Sequence, residues 1–99
     1  MPVLEKSIQT PVIRHARLKG VRCDKLSTGS RFQSNGLPDY ILWLPGGRPL
    51  LIEFKKPGGV ATPLQLLTHK QLREAGYEVH VIDSVTEGKQ LIDQHLLGA

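Results

Sequence analysis

Three charged residues lie close together in the middle of the chain. Asp39 follows directly on the turn residues 36–38 (Gly-Leu-Pro), and Glu53 and Lys55 lie two positions apart in the apolar run Leu50–Lys55. Side chains two apart on a β-strand point to the same face, so Glu53 and Lys55 are neighbours if this run is a strand. Carboxylates bind hard cations such as Mg²⁺, which in turn contact phosphate, and an ammonium can stabilise the charge that develops there. The spacing therefore favours phosphodiester hydrolysis.

The segments that carry these residues are predicted to pair as an antiparallel hairpin. Tyr40–Leu44 is a short apolar and aromatic run, residues 45–47 (Pro-Gly-Gly) supply a turn, and Leu50–Lys55 follows. Residues at the end of a hairpin far from its turn meet across the ladder. We therefore expect Asp39 to lie near Glu53, so that two carboxylates converge beside an ammonium.

The remaining segments complete an α/β pattern in the order αβββαβα. Thr62 followed by Pro63 is a typical N-cap and first helical residue, and Gly76 is a typical stop. The other predicted elements are a helix over 4–19, a strand over 21–26, a loop over 27–38, a helix over 62–75, a strand over 77–81 and a helix over 84–97. This order fits a central sheet of about four strands flanked by helices.

The two terminal helices are predicted from apolar residues on one face. The inward residues are Leu4, Ile8, Val12 and Ala16 in the first helix, and Val85, Leu91, Ile92, Leu96 and Leu97 in the last. Pro11 interrupts the first helix, because proline removes a backbone hydrogen bond in a helix interior. Either the helix bends at Pro11, or Thr10 caps a shorter helix.

Composition limits the class of protein. Ninety-nine residues predict a single domain over 1–99, and a hydrophobic fraction of 39% with 22% charged residues is typical of a globular protein. Thirteen Lys and Arg against nine Asp and Glu give a net charge of +4, which favours a polyanionic partner such as nucleic acid. No apolar run is long enough to span a bilayer, and the N-terminal residues do not resemble a signal peptide. We therefore expect no membrane association and a cytoplasmic location.

Neither cysteine nor histidine predicts a zinc site. Cys23 is the single cysteine, which excludes an intrachain disulfide, and we expect it to be a small buried residue. The four histidines have no spacing with Asp or Glu that demands zinc. We expect each of them to be an ordinary surface or core residue: His15, His69, His80 and His95.

Four segments together resemble the VRR-NUC (virus-type replication-repair nuclease) branch of the PD-(D/E)XK nuclease superfamily. They are residues 36–39 (Gly-Leu-Pro-Asp), 52–56 (Ile-Glu-Phe-Lys-Lys), 63–65 (Pro-Leu-Gln) and 75–79 (Ala-Gly-Tyr-Glu-Val). The resemblance runs from Glu5 to about Val81. An isolated Glu-x-Lys arises often by chance, whereas its combination with Pro-Asp and a downstream Gln is far more specific.

The resemblance implies a restriction-endonuclease-like core and a set of roles. Asp39 and Glu53 would be ligands of Mg²⁺ or Mn²⁺, Lys55 the catalytic lysine, and Gln65 the active-site glutamine that orients water or phosphate. Glu5 would match the glutamate of the N-terminal helix that reaches the metal. Small stand-alone members are similar in being homodimers that cut branched DNA, including four-way (Holliday) junctions, which leads us to expect a bacterial or phage-encoded intracellular protein.

Three further residues are predicted from their position in the chain. The backbone carbonyl of Phe54, between Glu53 and Lys55, could be another metal ligand. Arg31, in the loop before the hairpin, and Lys56, directly after Lys55, are the candidate contacts to the phosphate backbone.

Other functions remain open at this point. The same core could serve a single-strand or flap exonuclease, or a DNA-binding module that has lost catalysis. A structural Glu53–Lys55 pair is the simplest alternative to a catalytic role, but such a pair on an edge strand contributes little to stability. A carboxylate in an otherwise apolar strand otherwise requires a cation, a metal or an exposed edge.

Overall fold

The computed structural model describes residues 3–26 and 36–98. The sequence of elements is the predicted one, αβββαβα. Its helices and strands are α1 (Glu5–Leu18), β1 (Arg22–Lys25), β2 (Tyr40–Leu44), β3 (Arg48–Phe54), α2 (Pro63–Glu74), β4 (Glu78–Ile82) and α3 (Val85–Leu97). No helix in the described part of the chain is long and apolar enough to cross a membrane.

The four strands form one mixed sheet in the order β1-β2-β3-β4. β1, β2 and β3 are antiparallel neighbours, and β4 joins β3 in parallel after the α2 crossover. The predicted β2–β3 hairpin is confirmed, with Tyr40 opposite Ile52 and Leu44 opposite Arg48. Gly46 and Gly47 both adopt positive φ values, 87° and 74°, which a tight hairpin turn requires and which glycine adopts at little cost. β3 lies between β2 and β4 and is therefore an inner strand. An exposed sheet edge thus does not explain why a carboxylate, Glu53, occurs in this apolar strand.

The main hydrophobic core lies between one face of the sheet and the helices α1 and α3. Alternate residues of β2 and β3 point into it, among them Leu42, Leu50, Ile52 and Phe54, all fully buried. The helices contribute Ile8, Val12, Ile13, Ala16 and Ile92. Cys23 is buried in the same core, as the sequence predicted.

Two details of the terminal helices differ from the prediction. Leu4 and Leu97 were expected to face inward but are 62% and 86% exposed, because each lies at the outer end of its helix, beyond the edge of the core. α1 runs without interruption through Pro11, so the longer of the two predicted helices is correct. Proline removes the hydrogen bond to the carbonyl of Ser7, and Ser7 is exposed, so that carbonyl is free to bind water.

The crossover helix α2 covers the opposite face of the sheet and is fixed at both ends. At its start the Thr62 hydroxyl accepts the N–H of Gln65, while the Gln65 side chain accepts the N–H of Thr62. Near its end, the Arg73 guanidinium donates to the carbonyl of Val79 at 2.7 Å. The N-cap predicted at Thr62 is therefore confirmed. α2 is held against β4, and its one buried residue is His69.

Candidate active site

Hairpin pairing brings Asp39 to the strand that carries Glu53. The backbone N–H of Asp39 donates to the carbonyl of Ile52 at 3.0 Å, which extends the β2–β3 ladder past Tyr40. The N–H of Phe54 then donates to Asp39 Oδ2 at 2.7 Å. The residues on either side of Glu53 thus fix Asp39, because the Ile52 carbonyl holds its backbone and the Phe54 N–H holds its carboxylate. The predicted proximity of the two carboxylates is confirmed.

A third carboxylate reaches the same place from α1. Glu5, in the first turn of that helix, offers an oxygen that lies together with one from Asp39 and one from Glu53 within 4.8 Å of one another. Within the described ranges 3–26 and 36–98, this is the one group of three metal-ligating side chains that lie so close together. The continuous α1 puts Glu5 there, since a helix that began after Thr10 would not include it.

The electrostatics of this group are unfavourable without a cation. Glu53 is only 2% exposed. Burial, reinforced by the charge on Asp39, raises its pKa to about 8, although Lys55 acts in the opposite direction. The pKa of Glu5 is raised as well, first by burial and then by the charge of Asp39. Glu53 Oε1 is buried and has no hydrogen-bond partner within the described ranges. Three converging carboxylates with an unsatisfied oxygen fit a hard divalent cation. Its positive charge would offset both the burial of Glu53 and the repulsion among the carboxylates.

Lys55 lies beside these carboxylates. Its Nζ is 3.8 Å from Glu53 Oε2, and its side chain is 15% exposed, so the ammonium is sheltered but reachable. The backbone N–H of Lys55 donates to the carbonyl of Ile82 at 2.9 Å, which continues the pairing of β3 with β4. The same-face arrangement predicted for Glu53 and Lys55 is therefore present.

Of the other predicted site residues, three lie within the described ranges and one lies outside them. Gln65 lies in the first turn of α2, where its side-chain oxygen is engaged by the N–H of Thr62. Lys56 directly follows Lys55 and is exposed. The N–H of Phe54 is bonded to Asp39. Arg31 lies outside the described residues. The roles of Gln65, Lys56, Arg31 and the Phe54 carbonyl stay predictions.

The structure adds a site residue that sequence reasoning had left among ordinary surface or core residues. His69 is fully buried, and its Nε2 lies 3.8 Å from Glu53 Oε1. Burial, with help from the charges of Arg73 and Lys55, lowers its pKa. One signal in the sequence pointed to it: His69 follows Gln65 by four residues and therefore lies on the same side of α2.

The remaining histidines contact acidic side chains outside the candidate active site. His15 Nε2 lies 2.7 Å from Asp93 Oδ1 and connects α1 with α3. His80 and His95 both contact Glu78 Oε2, at 2.7 and 2.5 Å. These contacts lie at or near the surface, in agreement with the ordinary roles predicted for these three.

This fold and site define a class of protein. A mixed sheet flanked by helices, with Asp39 at the start of one hairpin strand and Glu53-x-Lys55 on the other, is the restriction-endonuclease-like arrangement of the PD-(D/E)XK nucleases. Comparison with solved structures agrees. One chain described as "VRR_NUC domain" has a TM-score of 0.77 and 28% sequence identity, over 92% of this chain and 96% of the other. A second, "VRR_NUC domain protein", shares the fold with a TM-score of 0.75 and 21% identity, over 100% of this chain and 93% of the other.

Sequence comparison identifies the family within this class. The profile of the VRR-NUC domain matches residues 6–86, which is most of the chain. The chain is also 35% identical over 83 residues to a protein named "Putative nuclease p44" from Acyrthosiphon pisum secondary endosymbiont phage 1, a match that covers 83% of this chain and 85% of the relative. The protein belongs to the VRR-NUC domain family.

Proposed function

We propose that this protein is a metal-dependent, structure-specific endonuclease that hydrolyses phosphodiester bonds in branched DNA such as four-way junctions. The observation that carries the proposal is the convergence of oxygens from Glu5, Asp39 and Glu53 within 4.8 Å. The name of the phage relative, a nuclease, supports the same chemistry. Three converging carboxylates, of which Glu53 is buried, would repel a phosphodiester by themselves, so the proposed reaction requires a cation between them.

The donor set indicates which cation the site would take. Glu5, Asp39 and Glu53 would hold it, and the carbonyl of Phe54 is a further donor. All of these donors are oxygens, which suit Mg²⁺ or Mn²⁺ better than metals that prefer nitrogen or sulfur. When bound, such an ion would offset phosphate charge and acidify a water molecule to make the nucleophile.

Lys55 and Gln65 would act on the substrate directly. The Lys55 ammonium lies 3.8 Å from Glu53 and is mostly sheltered from solvent, where a positive charge is screened less than at the surface. It would stabilise negative charge that develops on the phosphate oxygens. Gln65 would orient water or phosphate through its side-chain N–H₂ group, since its oxygen is engaged by Thr62.

The DNA would be held mainly through its phosphates. The net charge of +4 favours a polyanion. Lys56 is exposed and adjacent to Lys55, so it is suited to a backbone phosphate next to the scissile bond. Arg31, which lies outside the described residues, would make a second contact of this kind.

A preference for branched DNA would come from a homodimer. The face of the sheet that carries Glu53 also carries Trp43, which is 50% exposed, and α2 beside it exposes 46–55% of Leu64, Leu66 and Leu67. Clustered exposed apolar residues of this size typically mark an interface. A symmetric dimer would fix the separation of two active sites, so that two strands of a junction are cut in register.

The test is cleavage of labelled four-way junction, flap, duplex and single-stranded DNA in Mg²⁺, in Mn²⁺ and in EDTA. Wild type is compared with Lys55→Ala and with the control Lys89→Ala, which removes a lysine from α3 on the other side of the sheet. We expect paired nicks in the junction that require metal, persist in Lys89→Ala and are absent in Lys55→Ala.

Other outcomes would direct attention to the alternative functions. Cleavage of flap or single-stranded ends in preference to the junction would indicate an exonuclease on the same core. Junction binding without cleavage in either metal would indicate a DNA-binding module. Equal cleavage by wild type and Lys55→Ala would rule out the proposed site.

A further inference from the structure

His69 is buried in an unusual state for a polar side chain. Three buried side-chain atoms within residues 3–26 and 36–98 have no hydrogen-bond partner, and they are Nδ1 and Nε2 of His69 and Oε1 of Glu53. Burying an unpaired polar group costs free energy. Because the unpaired polar atoms belong to two residues that face each other, they point to an interaction between His69 and Glu53.

The geometry puts the two residues within a small adjustment of a hydrogen bond. His69 Nε2 lies 3.8 Å from Glu53 Oε1, about 1 Å beyond hydrogen-bond distance. The other oxygen of that carboxylate, Oε2, faces Lys55 at 3.8 Å. Glu53 is thus flanked by an imidazole on one oxygen and by an ammonium on the other.

The helix that carries His69 is fixed, so the imidazole has a defined position. The capping box at Thr62 and Gln65 holds the start of α2, and the bond from Arg73 to Val79 holds its end. His69 does not belong to the group of three residues whose oxygens converge within 4.8 Å.

We propose that His69 is a positioning residue that donates its Nε2–H to Glu53 Oε1 and so holds the Glu53 carboxylate in the orientation that binds the cation. This inference rests on the proposed function, in which Glu53 is a metal ligand. Hydrogen bonds to ligating carboxylates fix their geometry, and their loss typically weakens metal binding about 10- to 100-fold.

The test measures Mn²⁺ affinity by calorimetry, independently of DNA cleavage, in wild type and three variants. His69→Leu removes the donor and keeps most of the volume. His69→Asn keeps an amide too short to reach Glu53, and His69→Gln offers an N–H₂ group that can reach it. We expect His69→Leu and His69→Asn to weaken Mn²⁺ binding about 10- to 100-fold and His69→Gln to retain it within a few-fold. Thermal unfolding in EDTA identifies any variant that is simply unfolded, and the Asn–Gln pair decides the matter if His69→Leu does not fold.

Each outcome separates this inference from the proposed function. Wild-type cleavage and Mn²⁺ binding together with undiminished binding in folded His69→Leu or His69→Asn would overturn the role of His69 and leave the nuclease proposal intact. Nitrogen coupling to Mn²⁺ in electron paramagnetic resonance would overturn it in favour of His69 as a direct ligand. A wild-type protein that binds no divalent metal would overturn both.

Discussion

The two faces of the sheet are built differently. The face toward α1 and α3 is apolar and closed, with Leu42, Leu50, Ile52 and Phe54 in a continuous core. The face toward α2 is thinner, because α2 buries a single residue, His69, against Glu53. Hydrophobic burial on the first face supplies most of the folding free energy. The second face can therefore hold groups that a core would exclude.

The groups on the α2 face are costly to the fold in a way that suits a binding site. Glu53 is buried with an unsatisfied oxygen, and its pKa is raised to about 8 by burial and the charge on Asp39. Sites that bind charged ligands are commonly destabilising when empty. The contrast between the faces can be tested by removing the buried Glu53 carboxylate from the α2 face.

Glu53→Gln should produce the largest functional change. An uncharged amide keeps the shape but removes a metal ligand, so we expect cleavage to fall by at least about 10²–10³-fold. The same change should stabilise the metal-free protein, since it removes a buried carboxylate. The measurement is junction cleavage in Mg²⁺ beside thermal unfolding in EDTA. A variant with reduced cleavage and a lower melting temperature at pH 8 would contradict this prediction, because it would show that ionised Glu53 stabilises the fold.

The stabilisation by Glu53→Gln should depend on pH in a definite direction. Because the folded pKa of Glu53, about 8, is above the ordinary value of 4.5, the folded state binds this proton more tightly than the unfolded state. The free energy of unfolding of the metal-free wild type should therefore fall between about pH 4.5 and pH 8 and level off above. Glu53→Gln should match wild type near pH 4, exceed it most above pH 8, and gain nothing from added Mn²⁺.

Much of the fold was predictable from the sequence because turns separate the elements. Pro45-Gly46-Gly47 and Thr62-Pro63 marked the hairpin and the start of α2. Period-two spacing then placed Glu53 beside Lys55, and hairpin pairing placed Asp39 near Glu53. These inferences are local, and local rules suffice for them.

The features that local sequence rules could not supply depend on tertiary contacts. The approach of Glu5 to the carboxylates came from the family resemblance, because helical periodicity alone does not say where a helix end lies relative to a sheet. The burial of His69 could not be predicted, since α2 has apolar residues at several positions and Leu64, Leu66 and Leu67 remain about half exposed.

Two glycines test whether the faces can be perturbed separately. A Cβ at Gly88 would lie 2.6 Å from a methyl group of Val12, on the core face. A Cβ at Gly36 would lie 2.5 Å from Thr68 Oγ1 and 2.7 Å from the carbonyl of Leu64, on the α2 face, and Gly36 also has a φ of 83°. Alanine at either position should cost about 1–3 kcal/mol of stability.

Their effects on the site should diverge. Gly36 begins the turn that leads to Asp39, so Gly36→Ala should move that carboxylate and weaken Mn²⁺ binding. Gly88→Ala should lower the melting temperature while leaving Mn²⁺ affinity unchanged in the folded protein. Calorimetry well below both melting temperatures makes the comparison. Equal losses of Mn²⁺ affinity would show that the two faces behave as one unit.

The smallest expected effect comes from the N-caps of the two helices on opposite faces. Thr62 caps α2 by accepting the N–H of Gln65, and Ser84 caps α3 by accepting the N–H of Glu87. Replacing either by Ala should cost about 1 kcal/mol, which corresponds to about 4–8 °C in melting temperature for a domain of this size. The two substitutions should therefore lower the free energy of unfolding by similar amounts, although they act on opposite faces of the sheet.

Only the Thr62 substitution should reach the active site. Without the Thr62 hydroxyl, the backbone N–H of Gln65 loses its acceptor and the first turn of α2 frays, which loosens the position of the Gln65 side chain. Cleavage by Thr62→Ala should fall several-fold at a temperature where both variants are folded, whereas Ser84→Ala should cleave like wild type. Hydrogen exchange at the amides of residues 63–66 would show whether fraying accompanies the loss. Unchanged cleavage with faster exchange would mean that the catalytic face tolerates motion at the start of α2, and would place the functional part of this helix further along, toward His69.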